Sequence, residues 1–416
     1  MSNVDGTKEQ LAIHGGTKTK QTPFGTGQRF GQEELKELTE ALEQGTLFYH
    51  LGGKVKRFLD KFNEMHDVRY SVAASSGTAA IHIALGTAGV SVGDEVITSP
   101  ISDMGTLIGI LYQNAIPVFA DLNPHTYNMD PISVEACITS RTKAIVVVHL
   151  AGNPCDMDAI MAIARKHNLI VIEDCAQSYQ AKYKGRYVGT IGDYGCFSTN
   201  DFKHISTGDG GMVTINSDDE MDFYRTHAFA DKNYHRFDNV VIKDIQSLAP
   251  NYRMTELQGA VGIAQLDKLE SICQRRRTLG DRISEGLKGL KGISVHHVEA
   301  DAECSYWFYM MRLKLDELSC TRSEFCEALI AEGVPCGEGY IAKPLYLQPL
   351  FQQKQAYLGS SYPFDMTDTS YEPGSCPIAE QILETAVRMP VNEFYTDEDI
   401  EDMIRGVRKV ALYYHL

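Results

Sequence analysis

AIVVVHL (144–150), DMDAIMAIARKHN (156–168) and LIVIEDC (169–175) follow one another along the chain, and their order decides the fold. The first and last are continuous apolar runs of strand length, rich in β-branched residues. Such runs suit strands covered on both faces, because a strand with one wet face alternates apolar and polar residues. The middle stretch carries its apolar residues at helical spacing, as an amphipathic helix does. Strand, helix and strand in this order predict a crossover between parallel strands. The same texture extends outward through YSVAA (70–74), GTAAIHIALGTAG (77–89), DEVIT (94–98), IPVFAD (116–121) and GMVTIN (211–216). The expectation is an α/β fold with a large, doubly wound, mostly parallel sheet.

Past Arg253 the pattern changes. MTELQGAVGIAQLDKLESICQRRRTLGDRISEGLKGL (254–290) reads as a long helix, expected to break near Gly280. From about Gly292 come a strand (SYWFYMMRLKL), a helix (SEFCEALIAEG) and a final amphipathic helix (TDEDIEDMIRGVRKVALYY), which together predict a smaller C-terminal α+β domain. The expected division is an N-terminal arm over 1–45, a large domain over 46–275 and a small domain over 276–416. Trp307 is expected in the core of the small domain.

Composition narrows the function. With 416 residues the chain can bury a sizeable core. A formal net charge of −16 argues against binding nucleic-acid backbones or anionic lipid surfaces. The opening MSNVDGTKEQLAIHGG has no apolar run behind a basic segment, and the longest apolar runs are strand-sized. The 10 cysteines are scattered without a C-x-x-C pair, as in reduced, cytoplasmic proteins. No histidine pair has metal-ligand spacing, so no metal is expected; His149 reads as structural.

Three stretches carry chemistry. SSGTAA (75–80) joins a strand to a helix, and free N–H groups at a helix start can hold a phosphate. VIEDCAQ (171–177) places Asp174 at the carboxyl end of a strand, where ligands of parallel sheets sit. FSTNDFKHISTGDGG (197–211) carries Ser198 and Lys203 in a run of small polar residues, and a lysine in such a pocket can attack an aldehyde. Taken singly, these read as a helix cap, a turn cap and a surface lysine. Together they are the parts that pyridoxal phosphate requires: a phosphate cradle, a partner for the ring nitrogen and an amine. His204, next in the chain, is a candidate for orienting that amine. The glycines at 208, 210 and 211 precede a strand instead of opening a helix, so they are not a dinucleotide loop.

At these residues the chain resembles the DegT/DnrJ/EryC1/StrS family of sugar aminotransferases, of the fold-type I pyridoxal phosphate class. SVAASSGTAAIHIAL, GDEVIT, VHLAGNPCDMDAI, VIEDCAQSYQAKYKGRYVGTIGDYGCFS, KHISTGDGGMVTIN, NYRMTELQGAVGIAQL and CPIAEQ match in family order over about residues 45–400. The resemblance implies that Lys203 forms the internal aldimine with pyridoxal 5'-phosphate and shuttles a proton after its release. It implies that Asp174 pairs with the ring nitrogen and that Gln177 lies near the ring hydroxyl. Gly77, Thr78 and Ser198 would bind the phosphate, and Asn251 would reach the cofactor of a partner subunit in a homodimer with shared sites. L-Glutamate would be the amino donor. A keto sugar would be the acceptor, either nucleotide-linked or an 8-oxo-octulosonate destined for lipopolysaccharide.

Three departures fall where an acceptor would be recognised. Asp103, in SPISDMGT, stands where the family places an aromatic ring against the cofactor, leaving Met104 or another side chain to cover it. Ala249-Pro250 replaces the usual Gly-Tyr before NYR. GEGYIAKPLYLQP lacks the family's histidine and offers Tyr340 and Lys343 as substrate-binding candidates. Two alternatives are a pyridoxamine-dependent sugar dehydratase and a non-catalytic cofactor-binding regulator. The dehydratase branch carries His in place of the lysine, and a regulator would need a basic DNA-binding segment.

Overall fold

A computed structural model describes residues 9–233 and 247–416, together with the backbone strands His235–Phe237 and Val240–Ile242. Seven strands form the central sheet: β1 (Tyr70–Ala74), β2 (Glu95–Thr98), β3 (Ile116–Phe119), β4 (Thr142–Val148), β5 (Ile170–Asp174), β6 (Tyr194–Ser198) and β7 (Gly211–Ile215). Their order is β1-β7-β6-β5-β4-β2-β3. The five from β6 to β3 are parallel, whereas β7 runs antiparallel to both its neighbours. Parallel neighbours need a long crossover, usually a helix. The stretch from β6 to β7 contains none, so the chain turns back as a hairpin, and Lys203 sits in its loop.

The helices of this part of the chain are α1 (Gln32–Glu43), α2 (Lys54–His66), α3 (Gly77–Thr87), α4 (Gly105–Tyr112), α5 (Pro131–Ala136), α6 (Met157–His167) and α7 (Glu220–Ala230). The crossover read from 156–168 is α6. The Asp156 side chain caps it by accepting from the Ala159 N–H at 3.2 Å, and Asn168 ends it in the left-handed region at φ 54°. Val146, Val147, Val171 and Ile172 are fully buried on either side of it, as a sheet covered on both faces requires.

The long helix α8 (Glu256–Leu287) is continuous for 32 residues. The break expected near Gly280 does not occur. A Cβ at Gly280 would lie 2.4 Å from the Tyr306 ring, so this glycine permits close packing in an unbroken helix. Beyond α8, β8 (Ile293–Ser294), β9 (Phe308–Leu313), β10 (Gly337–Glu338) and β11 (Ala386–Pro390) form an antiparallel sheet in the order β8-β9-β11-β10. With α9 (Arg322–Ala331), α10 (Pro377–Thr385) and α11 (Asp397–Tyr414) they complete the α+β portion. Its core joins Ile283, Met311, Phe325 and Val407 to Leu11 of the N-terminal segment. That segment is tied down: the Ala12 and Thr19 N–H groups donate to the Glu332 carboxylate at 2.7 and 2.9 Å. Farther along, α1 lies on α8, where Gln265 and Lys268 both donate to Glu34 at 2.7 Å.

Candidate active site

The site forms where α3 begins, beside the carboxyl ends of β5 and β6. Ser76 caps α3 by accepting from the Ala79 N–H at 3.0 Å. A Cβ at Gly77 would stand only 2.7 Å from the Ser198 Cβ. Glycine is therefore what lets the helix start approach the end of β6. Its free N–H groups, the Thr78 hydroxyl and the Ser198 hydroxyl then share one wall of a cavity of about 250 Å³. Asp103, Asp174, Gln177 and Lys203 line the rest, so seven expected site residues meet in this one place.

Asp174 is the last residue of β5 and is 5% exposed. Its Oδ2 accepts from Thr106 Oγ1 at 2.8 Å and its Oδ1 from the Ala176 N–H at 3.1 Å. Burial holds its pKa above the ordinary carboxylate value, against the pull of these donors and of Lys203. A buried carboxylate in that condition favours a cationic partner. Thr106 is itself fixed: Ser102 Oγ lies 2.7 Å from its hydroxyl, and all three side chains are buried.

Lys203 is 9% exposed. Burial lowers its pKa, while Asp174 and Asp103 oppose that shift. An amine so placed has more of the neutral, nucleophilic form than a surface lysine. Two contacts pin the backbone around it: Trp307 Nε1–H donates to the Phe202 carbonyl at 2.7 Å, and His204 Nε2 lies 3.1 Å from the Ser305 carbonyl. His204 thus anchors the chain beside the lysine, and its ring does not hold the amine. Trp307 precedes β9, is only half-buried, and stands over Lys203 instead of deep in the C-terminal core.

Gln177 Oε1 accepts from the Ala151 N–H at 2.8 Å, and its Nε2 lies 3.4 Å from the Tyr340 hydroxyl. Tyr340 stacks on Phe308 with centroids 5.1 Å apart, so it borders the cavity through Gln177. Asp103 is exposed at the mouth, where its Oδ1 accepts from the Gly105 N–H at 2.8 Å. Met104 packs against the hydrophobic core and is not among the cavity-lining residues. Lys343 is exposed and lies off the cavity wall.

Asn251 is also exposed, outside the cavity of its own chain. Its neighbours fix the segment: the Tyr252 hydroxyl lies 3.0 Å from His82 Nδ1, and Arg253 pairs with the buried Asp231. Pro250 takes part through its carbonyl, which accepts from the Lys232 N–H at 2.8 Å.

His149, Glu173 and Cys175 lie together, but hydrogen bonds already occupy the first two. Glu173 accepts from the N–H groups of Gly189, Ile191 and Gly192 at 2.7–2.8 Å and faces His149 Nε2 at 3.0 Å. His149 Nδ1 accepts from the Cys155 N–H at 3.1 Å. The carboxylate thereby ties down the turn leading into β6.

Comparison with known proteins agrees with this geometry. Residues 28–408 match the model of the DegT/DnrJ/EryC1/StrS aminotransferase family. The chain belongs to that family. It is 33% identical over 386 residues to the spore coat polysaccharide biosynthesis protein SpsC of Bacillus subtilis, covering 92% of this chain and 95% of that one. It is 32% identical over 370 residues to the GDP-perosamine synthase of Escherichia coli O157:H7, covering 88% and 96%. A solved aminotransferase from Psychrobacter cryohalolentis superposes with a TM-score of 0.82 at 32% identity, covering 92% of this chain and 98% of that one.

This aminotransferase uses pyridoxal phosphate, and the cavity fits that group. The α3 start and Ser198 offer donors to a phosphate, Asp174 an ionisable partner to a ring nitrogen, and Lys203 an amine to an aldehyde. Ser102, Thr106 and Trp307 were missed as site residues. Thr106 had a signal, since it sits in the first turn of a helix that follows a strand. Trp307 had none, because only the folded path brings it to Lys203.

Proposed function

We propose that this aminotransferase transfers the amino group of L-glutamate to a keto sugar, either nucleotide-linked or of the 8-oxo-octulosonate type found in lipopolysaccharide. The observation that carries the reading is the single cavity in which the buried Lys203 amine, the buried Asp174 carboxylate and the Gly77–Ser198 cradle converge. The bound cofactor supplies an electron sink that makes the donor α-proton acidic. Gly77 and Thr78 hold its phosphate through N–H groups, and Ser198 adds a hydroxyl. Asp174, with Thr106 holding the carboxylate in place, would keep the ring nitrogen protonated, and Gln177 would serve the ring hydroxyl. Lys203 Nζ takes a proton from one carbon and returns it to another, which its lowered pKa supports. The presence of Lys203 also favours transamination over the dehydratase reading. Asp103 at the mouth, Tyr340 behind Gln177 and the exposed Lys343 are assigned to acceptor recognition.

The enzyme works as a cytoplasmic homodimer in this reading. Asn251, exposed on a segment anchored by Tyr252 and Arg253, reaches the phosphate of the partner's cofactor. Half-reaction spectroscopy tests the substrate assignment. L-Glutamate should bleach the yellow enzyme, and the correct keto sugar should restore the colour. Failure of every nucleotide-linked and octulosonate-type keto sugar to restore it would overturn the acceptor class.

A further inference from the structure

Lys203 Nζ stands 3.8 Å from the centroid of the Trp307 ring. A cation over an indole face is attracted by the ring's negative face, and tryptophan is the best of the aromatic residues for this contact. Trp307 is held at its backbone and at its ring. Its backbone N–H donates to the Ala151 carbonyl at 2.9 Å, its carbonyl accepts from Arg276 at 3.3 Å, and its indole N–H donates to the Phe202 carbonyl at 2.7 Å. The last bond joins the ring to the residue just before Lys203. Tyr340 packs edge-on with centroids 5.7 Å apart, fixing the ring from the side. A rigid aromatic face held against a buried amine is more than core filling demands.

We propose that the Trp307 face receives the Lys203 ammonium between half-reactions, when that amine is free of the cofactor and protonated, and so keeps it beside the reacting atoms. Trp307 is then a positioning residue. The inference rests on the role proposed for Lys203. The other charges bearing on the amine are Asp174, at the end of β5, and Asp103, before α4. Both attract the ammonium as well, but neither is positioned by the Lys203 loop itself.

Two readouts test it. Trp307 is the single tryptophan of the chain. In enzyme loaded with pyridoxamine phosphate, its emission should therefore differ between the wild type and Lys203→Met. Identical emission would overturn the contact, whatever the donor. The second readout is the ratio of L-glutamate to 2-oxoglutarate at which half of the enzyme has lost its yellow colour. The ring stabilises only the state with a free amine, so Trp307→Leu should raise that ratio roughly 2- to 30-fold. Trp307→Phe, which keeps a smaller aromatic face, should raise it less. A purely structural role would lower rate or stability and leave the ratio where it was, and an unchanged ratio in both variants would overturn the proposal. Borohydride labelling at a lysine other than Lys203 would instead remove the reading on which it rests.

Discussion

Replacing Thr106 by valine removes one hydroxyl from a buried chain of three groups and leaves the volume nearly unchanged. In the wild type that hydroxyl donates to Asp174 Oδ2 at 2.8 Å, while Ser102 Oγ lies 2.7 Å from it on the other side. A hydrogen bond to a charged group contributes about 1.5–3 kcal/mol. If that energy holds Asp174 ionised and aimed while charge builds on the cofactor ring, its loss lowers the first half-reaction rate roughly 10- to 100-fold. Thr106→Ser keeps the hydroxyl and should stay within about threefold of wild type. Ser102→Ala should also lose little rate, because Thr106 can still donate to Asp174. Thr106→Val strands the Ser102 hydroxyl as well, so its melting temperature should fall, and the rate must be read on protein shown to be folded. Stopped-flow loss of the yellow colour with L-glutamate measures it. A folded Thr106→Val protein as fast as the wild type would refute the claim that Thr106 supports Asp174.

Four further outcomes are expected. Asp174→Asn should lose on the order of 10²-fold in turnover, because the ring nitrogen loses its charged partner. Burial raises the Asp174 pKa, so its ionised form destabilises the cofactor-free fold above the raised value and not below the ordinary carboxylate range. Cofactor-free Asp174→Asn should therefore melt higher than the wild type near neutral pH, with the gap closing in acid. Gly77→Ala would place a Cβ 2.7 Å from the Ser198 Cβ and should weaken cofactor retention roughly tenfold by equilibrium dialysis, in line with overpacking costs of about 1–3 kcal/mol. Mixed Lys203→Ala and Asn251→Ala subunits should regain activity on exchange, because each heterodimer would carry one intact shared site; no recovery despite exchange would place Asn251 in its own subunit's site.

What could be read from the chain, and what could not, divides by the range of the interaction. The strand–helix–strand signal around 144–175 is local, since periodicity and caps act within a few residues, and it returned as β4, α6 and β5. Lys203, Asp174, Gly77, Thr78 and Ser198, which meet at one cavity, carried local signals because each sits at a strand end, a strand-to-helix junction or a polar hairpin. Gly280 was misread because a glycine within helical spacing can mark a break or a close approach, and only the Tyr306 ring decides between them. Trp307 looked like core because an apolar stretch does not say which neighbour it will meet. Ser102 was overlooked because its partner Thr106, four residues later in the chain, became meaningful only once Asp174 lay beside it.

The central claim is that Lys203 is the amine that carries the cofactor. Borohydride reduction of the yellow enzyme, followed by proteolysis and peptide mapping, measures this directly. The account predicts one phosphopyridoxyl-labelled peptide, containing Lys203 within FSTNDFKHIS, and no such label in Lys203→Ala. A label on any other lysine, or an unchanged labelled peptide pattern in Lys203→Ala, would contradict it.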